Sequence, residues 1–345
     1  MIQQLTGLLP DEIYSALDLK QSFRGKQIFK WIHSGVETFT EMTNLSATLR
    51  DDLSSRCVLF SSTIATEVAG RDGTVKITIK LEDGLFVEAV LLEDETGRKT
   101  ACLSSQAGCA MGCKFCRTGT MGLLRNLSTG EIVEQFLLLQ NKYGRISNIV
   151  FMGMGEPFEN LESVRKAIEI FHHQDGQNIG LRKITISTCG IISGIDSLTE
   201  EGPAVRLAVS LVSGDQDTRS SLMPITISNP LPELKKSLKR YQLGTGKRFT
   251  LEYVLLGGIN DTLKDAEKVR HFIGNMKAAV NVIPWNPVET LPYKEPEEEK
   301  VNLFIDRLEE LGVTVTRRYR RGRGVNGACG QLAVFENSSD SSHSG

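Results

Sequence analysis

The sequence predicts an α/β fold in which parallel strands alternate with covering helices, entered through a small helical segment and a β-hairpin. Three features of the patterning predict it. Apolar residues recur at helical spacing up to about residue 60, alternate with polar ones from 61 to 100, and then run in strand–helix units to residue 317. Such units in series imply parallel strands, because a parallel crossover needs a connection of helix length. A doubly wound sheet and a partial (β/α)6 barrel both satisfy this order, and periodicity does not separate them.

In FRGKQIFKWIHSGVETFTEM, Phe23, Ile28, Trp31 and Ile32 recur at helical spacing with Arg24, Lys26 and Lys30 between them. An amphipathic helix with a solvated basic face accounts for this, and so does a small RNA-docking module. In VKITIKLEDGLFVEAVLLEDETGRKTACLSS, β-branched and polar residues alternate around Asp83-Gly84, a residue pair of tight hairpin turns. Strands are then read at Lys99–Ser104, Asn148–Met152, Lys183–Ser187, Arg206–Val212, Phe249–Leu255 and Ala279–Pro284. Helices between them are read at Ser128–Gln140, opened by a Ser128/Glu131 capping box, and at Ser163–His172, Leu231–Tyr241 and Thr262–Met276. Glu297–Leu311 follows Pro296 as a last helix, and Val313–Arg317 is a short closing strand. The expected organisation is a helical segment at 1–60, a β-hairpin linker at 61–94, the strand–helix body at 95–333 and a disordered low-complexity tail at 334–345.

At 345 residues, 40% hydrophobic and 24% charged, the chain is long enough for one large domain and a small one and is not of disordered composition. No apolar run reaches the roughly 18 residues of a membrane span. Asp11, Glu12 and Asp18 stand where a signal peptide would be basic and then apolar, so a cytoplasmic protein without a membrane partner is expected. The 40 Lys+Arg against 42 Asp+Glu argue against a wholly basic nucleic-acid coat protein and leave room for a local basic patch. Seven cysteines, few and odd in number, argue against a secreted disulfide framework. Four of them, Cys102, Cys109, Cys113 and Cys116, fall within fifteen residues.

Cys109-Ala-Met-Gly-Cys113-Lys-Phe-Cys116 is C-x3-C-x2-C, three thiolates able to converge on one centre from a single loop. Zinc normally takes four ligands in a closed site, and no histidine is spaced to be the fourth, so a zinc site would need Cys102. A [4Fe–4S] cluster needs only these three thiolates and keeps one iron open to a small molecule. Downstream, Phe151-Met-Gly-Met-Gly155-Glu156-Pro157 ends an apolar strand, where barrel enzymes bind ligands. Alone it reads as a turn. Together with the triad, it resembles the radical S-adenosylmethionine (SAM) signature, with Glu156 facing the SAM ammonium. Ser187, Ser210 and Asn286 end other strands; each alone reads as a cap or turn residue, and their recurrence favours a shared pocket.

ACLSSQAGCAMGCKFCRTG, GMGEP, ITISTCG, IPWNP and ACGQL together resemble the RlmN/Cfr family of radical SAM RNA methyltransferases, over most of the chain. The resemblance implies a partial (β/α)6 radical SAM barrel with Cys109, Cys113 and Cys116 holding a [4Fe–4S] cluster. It places SAM on Gly155, Glu156, Ser187, Ser210, Leu211, Val212 and Asn286. It makes Cys329 a methyl carrier, Cys102 the thiol that resolves a protein–RNA adduct by forming a transient disulfide with Cys329, and Glu88 a proton acceptor. Cys57 and Cys189 are left as buried, hydrophobe-like cysteines. The implied activity is methylation at C2 of adenine 2503 in 23S rRNA, and of adenine 37 in some tRNAs, with two SAM consumed per turnover. The implied partners are large-subunit rRNA, tRNA and an electron donor such as flavodoxin or ferredoxin, acting on a monomer.

Two departures accompany the match. Ser210-Leu211-Val212 stands where family members read SLH, and RRGRGVNG lacks the acidic residue usual before ACGQL. Arg317, Arg318, Arg320, Arg321 and Arg323, with Tyr319 among them, form either a solvated basic run or a phosphate-contacting patch beside Cys329. Cfr-type methylation at C8, a scaffold that only binds RNA, and a zinc-stabilised RNA-binding protein remain as alternatives at this level.

Overall fold

The computed structural model describes residues 3–318 and 323–333, so the tail expected at 334–345 lies outside the described residues. The N-terminal segment holds β1 (Gln3–Gln4), α1 (Pro10–Ala16), α2 (Phe23–Ser34), α3 (Ala47–Arg56) and β2 (Cys57–Val58). A proline in its first turn starts α1, and α2 buries Ile28, Phe29 and Ile32 before stopping at Gly35, whose φ of 92° is left-handed. β1 and β2 pair in parallel and bring the two ends of this segment together.

β3 (Thr63–Ala69), β4 (Val75–Lys80) and β5 (Phe86–Glu93) follow as an antiparallel meander. The hairpin read around Asp83-Gly84 is its second half. β3 escaped notice because almost every residue in TIATEVA is exposed, leaving no buried alternation to read. Nor is the meander only a linker: β5 pairs antiparallel with the first barrel strand, Val90 opposite Cys102.

The body comprises β6 (Lys99–Cys102), β7 (Gln106–Cys109), α4 (Arg117–Met121), β8 (Gly122–Asn126), α5 (Thr129–Tyr143), β9 (Asn148–Phe151), α6 (Leu161–His172) and β10 (Ile184–Thr188). It continues through α7 (Ile192–Glu201), β11 (Arg206–Ser210), α8 (Gln216–Leu222), α9 (Leu231–Thr245), β12 (Phe249–Leu255), α10 (Leu263–Ile273), β13 (Ala278–Pro284), α11 (Glu298–Glu310) and β14 (Thr314–Arg317). The sheet order is β14-β13-β12-β11-β10-β9-β6-β5-β4-β3, and every neighbouring pair from β6 to β14 is parallel. Strand order never reverses, so the sheet has no switch point and curls one way. The partial barrel is therefore the correct choice of the two. β12 is buried along five of its seven positions and β11 along three of five, as strands covered by helices are. The short pieces β7, β8, α4 and α8 were not read from sequence, because each is too short to show a period; the ten-residue α7 was not read either.

One carboxylate fastens the N-terminal segment to the barrel. Glu134 of α5 is fully buried and accepts hydrogen bonds from Gln4 Nε2 (2.7 Å), Thr6 Oγ1 (3.2 Å), Ser61 N–H (2.8 Å) and Ser62 N–H (2.9 Å). A buried charge persists only when so satisfied.

Candidate active site

The cysteine loop leaves the sheet at β7. Cys109 ends that strand, Cys113 sits in the following turn and Cys116 is the residue before α4. Gly108 makes the loop possible: its φ is 78°, and a Cβ there would lie 2.0 Å from the Gly122 carbonyl oxygen. Burial pushes the Cys109 thiol up to about 12 and raises Cys113 and Cys116 as well, with the neighbouring sulfurs adding to each. Three buried thiols brought together are stable as thiolates only around a cationic centre. Among the described residues no three His, Cys, Asp or Glu side chains converge closely enough for a single metal ion.

Opposite the cysteines, the turn after β9 packs on the chain that leads into them. Ser104 Oγ accepts the Met154 N–H at 2.8 Å and Gln106 Oε1 accepts the Glu156 N–H at 2.8 Å. Gly155, with φ of 96°, has no room for a Cβ, which would meet Gln106 at 2.5 Å. Between turn and cysteines lies a cavity of about 160 Å³, lined by all three thiols and by Gly155, Glu156, Ser187, Ser210 and Asn286. Asn286 Oδ1 is buried there without a partner, an acceptor placed for a ligand donor such as the SAM ammonium.

Glu156 differs from expectation in detail. Burial raises its carboxyl, yet the Cys189 N–H (2.7 Å) and Phe158 N–H (3.1 Å) already bind it, with the Cys189 thiol and Thr188 hydroxyl adding hydrogen bonds. It therefore also pins the β10 loop to the β9 turn. Leu211 and Val212 do not line the cavity; both side chains are fully buried in the core. Val212 has φ of 61°, unusual for a β-branched residue, and its carbonyl accepts from Asn260 Nδ2 at 2.7 Å. Any contact from this segment to SAM beyond Ser210 is through backbone. Cys189 is buried in the hydrophobic core, as read, and also lines the cavity.

A second cavity, of about 340 Å³, adjoins the first and is lined by Val90, Cys102, Met152, Asn281, Asn286, Arg318 and Cys329, among others. Cys329, Asn286, Met152 and Arg318 belong to both. Cys329 thus stands in the dividing wall, with the cysteine triad on one side and Cys102 on the other. Burial, then the nearby Cys329, pushes the Cys102 thiol up to about 12 from 9.0, while Arg318 pulls it down. At pH 8 iodoacetamide should therefore modify Cys102 about 10³-fold more slowly than an ordinary exposed thiol. Peptide mass spectrometry checks this, and a rate near that of a free cysteine contradicts a dormant Cys102.

Of the arginine run, the described Arg317 and Arg318 both line the second cavity with Cys329. Arg317 is paired with Glu298 at 2.6 Å, and Arg318 lies in the wall beside Cys329, Cys102 and the buried Glu252. Tyr319, Arg320 and Arg321 lie outside the described residues, as does the Arg323 side chain. Glu88 is buried behind the wall: Lys76 Nζ approaches one carboxylate oxygen at 2.6 Å and the Ala333 N–H donates to the other at 2.9 Å. Burial raises this carboxyl, and Lys76 opposes the rise. Sequence reading missed Arg219, fully buried beneath the cavity, which donates to the carbonyls of Cys189 (2.6 Å), Leu211 (3.0 Å) and Ser210 (3.2 Å). In QDTRSSL nothing distinguishes it from a solvent-facing helical arginine.

Three cysteines on one loop, facing a cavity at the carboxyl mouth of a partial barrel, define a radical SAM enzyme. Residues 103–273 match the Radical SAM superfamily model, and residues 16–59 match that of the ribosomal RNA large subunit methyltransferase N-terminal domain. A probable dual-specificity RNA methyltransferase RlmN of Treponema denticola is 49% identical over 328 residues, 95% of this chain and 94% of that one. The dual-specificity RNA methyltransferase RlmN of Pelobacter propionicus is 42% identical over 314 residues, 91% of this chain and 90% of that one. A crystal structure of a radical SAM methyltransferase from Sphaerobacter thermophilus superposes with a TM-score of 0.92 at 41% identity, covering 96% of this chain and 99% of that one. The chain belongs to the RlmN family of radical SAM RNA methyltransferases. Its cofactors are accordingly a [4Fe–4S] cluster and SAM. No helix among the described residues is long and apolar enough to cross a membrane.

Proposed function

We propose that this chain methylates C2 of adenine 2503 in 23S rRNA, and of adenine 37 in some tRNAs, through an S-methylcysteine at Cys329. The observation that carries the reading is the place of Cys329 in the wall between the two cavities, with Cys102 across from it. A carrier that must take a methyl on one side and deliver it on the other needs that position.

Cys109, Cys113 and Cys116 would hold the cluster, and Gly155, Glu156, Ser187, Ser210 and Asn286 would seat SAM. With SAM, the reduced cluster supplies a 5′-deoxyadenosyl radical. The Cys329 thiolate first takes a methyl from one SAM by displacement, releasing S-adenosylhomocysteine. The 5′-deoxyadenosyl radical would take a hydrogen from the Cys329 S-methyl group, giving 5′-deoxyadenosine and a methylene radical that adds to the adenine carbon; returning one electron to the oxidised cluster and the ring proton to a base would leave a stable thioether adduct. Cys102 then attacks the Cys329 sulfur, forming a disulfide and releasing the methylene carbon, which a proton converts to methyl. Burial keeps Cys102 protonated until then, so it does not close the disulfide early. Glu88 takes a ring proton only once the Ala333 N–H has left it; until then it holds the carrier segment. RNA presents the base unstacked, and a flavodoxin- or ferredoxin-type donor reduces the monomeric enzyme in the cytoplasm.

The test is nucleoside mass spectrometry on rRNA and tRNA from cells lacking the modification, with and without this chain, against 2- and 8-methyladenosine standards. Appearance of 2-methyladenosine in both RNAs is expected. The 8-methyl isomer would move the activity to C8, and no product from iron-loaded protein would end the reading.

A further inference from the structure

The segment that carries Cys116 also carries the methyl-carrier loop. The Arg117 N–H donates to the Gly330 carbonyl at 2.9 Å, and Thr118 Oγ1 donates to the Leu332 carbonyl at 2.6 Å. These two bonds reach across more than two hundred residues and bracket the stretch just after Cys329. Thr118 is buried, and its hydroxyl lies within hydrogen-bond reach of the Cys116 sulfur as well, alongside the Thr118 and Gly119 N–H groups. One hydroxyl hydrogen thus faces two acceptors, the cluster ligand and the carrier loop. On its other side, Phe115 is held through its carbonyl by Trp285 Nε1 at 2.9 Å. The remaining anchors of the carrier loop come from elsewhere: Asn286 Nδ2 to the Cys329 carbonyl at 3.3 Å, Gln331 Nε2 to the Pro287 carbonyl at 2.9 Å, and Ala333 N–H to Glu88.

We infer that Thr118 is a positioning residue that couples occupancy of the cysteine triad to the placement of Cys329. The three thiols are tied to one another through the group they bind, so emptying the triad frees the 113–118 segment and with it loosens the hold on Gly330 and Leu332. Filling the triad restores both bonds and seats Cys329 in the dividing wall. The carrier is thereby set for transfer only in a chain that holds its cluster. This deepens the proposed function and rests on Cys329 as the carrier, but it makes a claim about loop position that activity does not enter.

The experiment is pulsed iodoacetamide alkylation of Cys329, read on its own peptide by mass spectrometry, with no SAM present. Cluster-free protein is compared with the same protein reconstituted anaerobically with iron and sulfide, for wild type, Thr118→Val and Thr118→Ser; iron content and the electron paramagnetic resonance spectrum confirm loading. Loading should slow alkylation of wild type roughly fivefold to tenfold, the effect of about one net hydrogen bond on a local opening equilibrium. Loaded Thr118→Ser should match loaded wild type, and loaded Thr118→Val should react like cluster-free protein. Equal rates for loaded and cluster-free wild type overturn the inference without needing any variant, as does a loaded Thr118→Val indistinguishable from loaded wild type. Failure of the carrier reading itself would show separately, as absence of methyladenosine from active, loaded wild type.

Discussion

Cys329→Ala is expected to abolish methyladenosine formation while leaving fold, iron content and SAM binding at wild-type levels. The structure makes this substitution unusually clean. Among the described residues, the hydrogen bonds that seat the stretch from Cys329 to Ala333 use other atoms: the carbonyls of Cys329, Gly330 and Leu332, the amide of Ala333 and the side chain of Gln331. Alanine keeps them all and removes only the sulfur. Loss of product in a protein that still takes up iron therefore speaks to chemistry. Nucleoside mass spectrometry on rRNA and tRNA from deficient cells makes the measurement, with loading checked by iron analysis. Methyladenosine above the background of those cells sinks the carrier assignment.

Cys102→Ala should have the second-largest effect and the opposite appearance. Methyl transfer to Cys329 and radical addition do not need Cys102, so the reaction proceeds to the thioether adduct and stops. A covalent protein–RNA species should accumulate toward one per chain and survive denaturation and thiol reductants, since no disulfide holds it. Nuclease digestion followed by peptide mass spectrometry should find an adenine joined through one carbon to the Cys329 peptide. Multiple turnovers without such a species would show that release does not depend on Cys102. The substitution removes a single buried sulfur at the end of β6, so at most about 1–2 kcal/mol of stability is at stake.

Much of this site was legible in the sequence because its residues sit where period meets chemistry. The cysteine triad, Gly155, Glu156, Ser187, Ser210 and Asn286 each end a readable strand or fill a fixed spacing, and all of them face one cavity. What could not be read is direction. Leu211 and Val212 belong to the same motif as Ser210, yet a left-handed turn at Val212 sends both side chains into the core. The departure from SLH at that position therefore changes packing before it changes any cofactor contact. Arg318, read as part of either a solvated run or a patch beside Cys329, forms part of the wall beside Cys329. Glu88 stood in an alternating strand as a solvent-facing residue would, and is buried by a segment nearly 250 positions away, at |i−j| of 245. Such placements depend on contacts distant in sequence, and no local pattern encodes them. The barrel itself became distinguishable from a doubly wound sheet only through strand order, which periodicity does not carry.

The Glu134 clasp has a consequence for how the chain is made. Ser61 and its carboxylate partner are 73 positions apart, so at about 5–20 residues per second the clasp is delayed on the order of 4–15 s after Ser61 leaves the peptidyl-transferase centre. The ring of Phe29 on α2 waits longer still, because the His173 ring it packs against is synthesised after Glu134. The segment born first is thus fastened only once α5 and α6 have been made, and a nascent chain arrested before Glu134 should surrender its first sixty residues to protease while the finished protein does not. On the ribosome, the barrel is the mould and the N-terminal segment the casting.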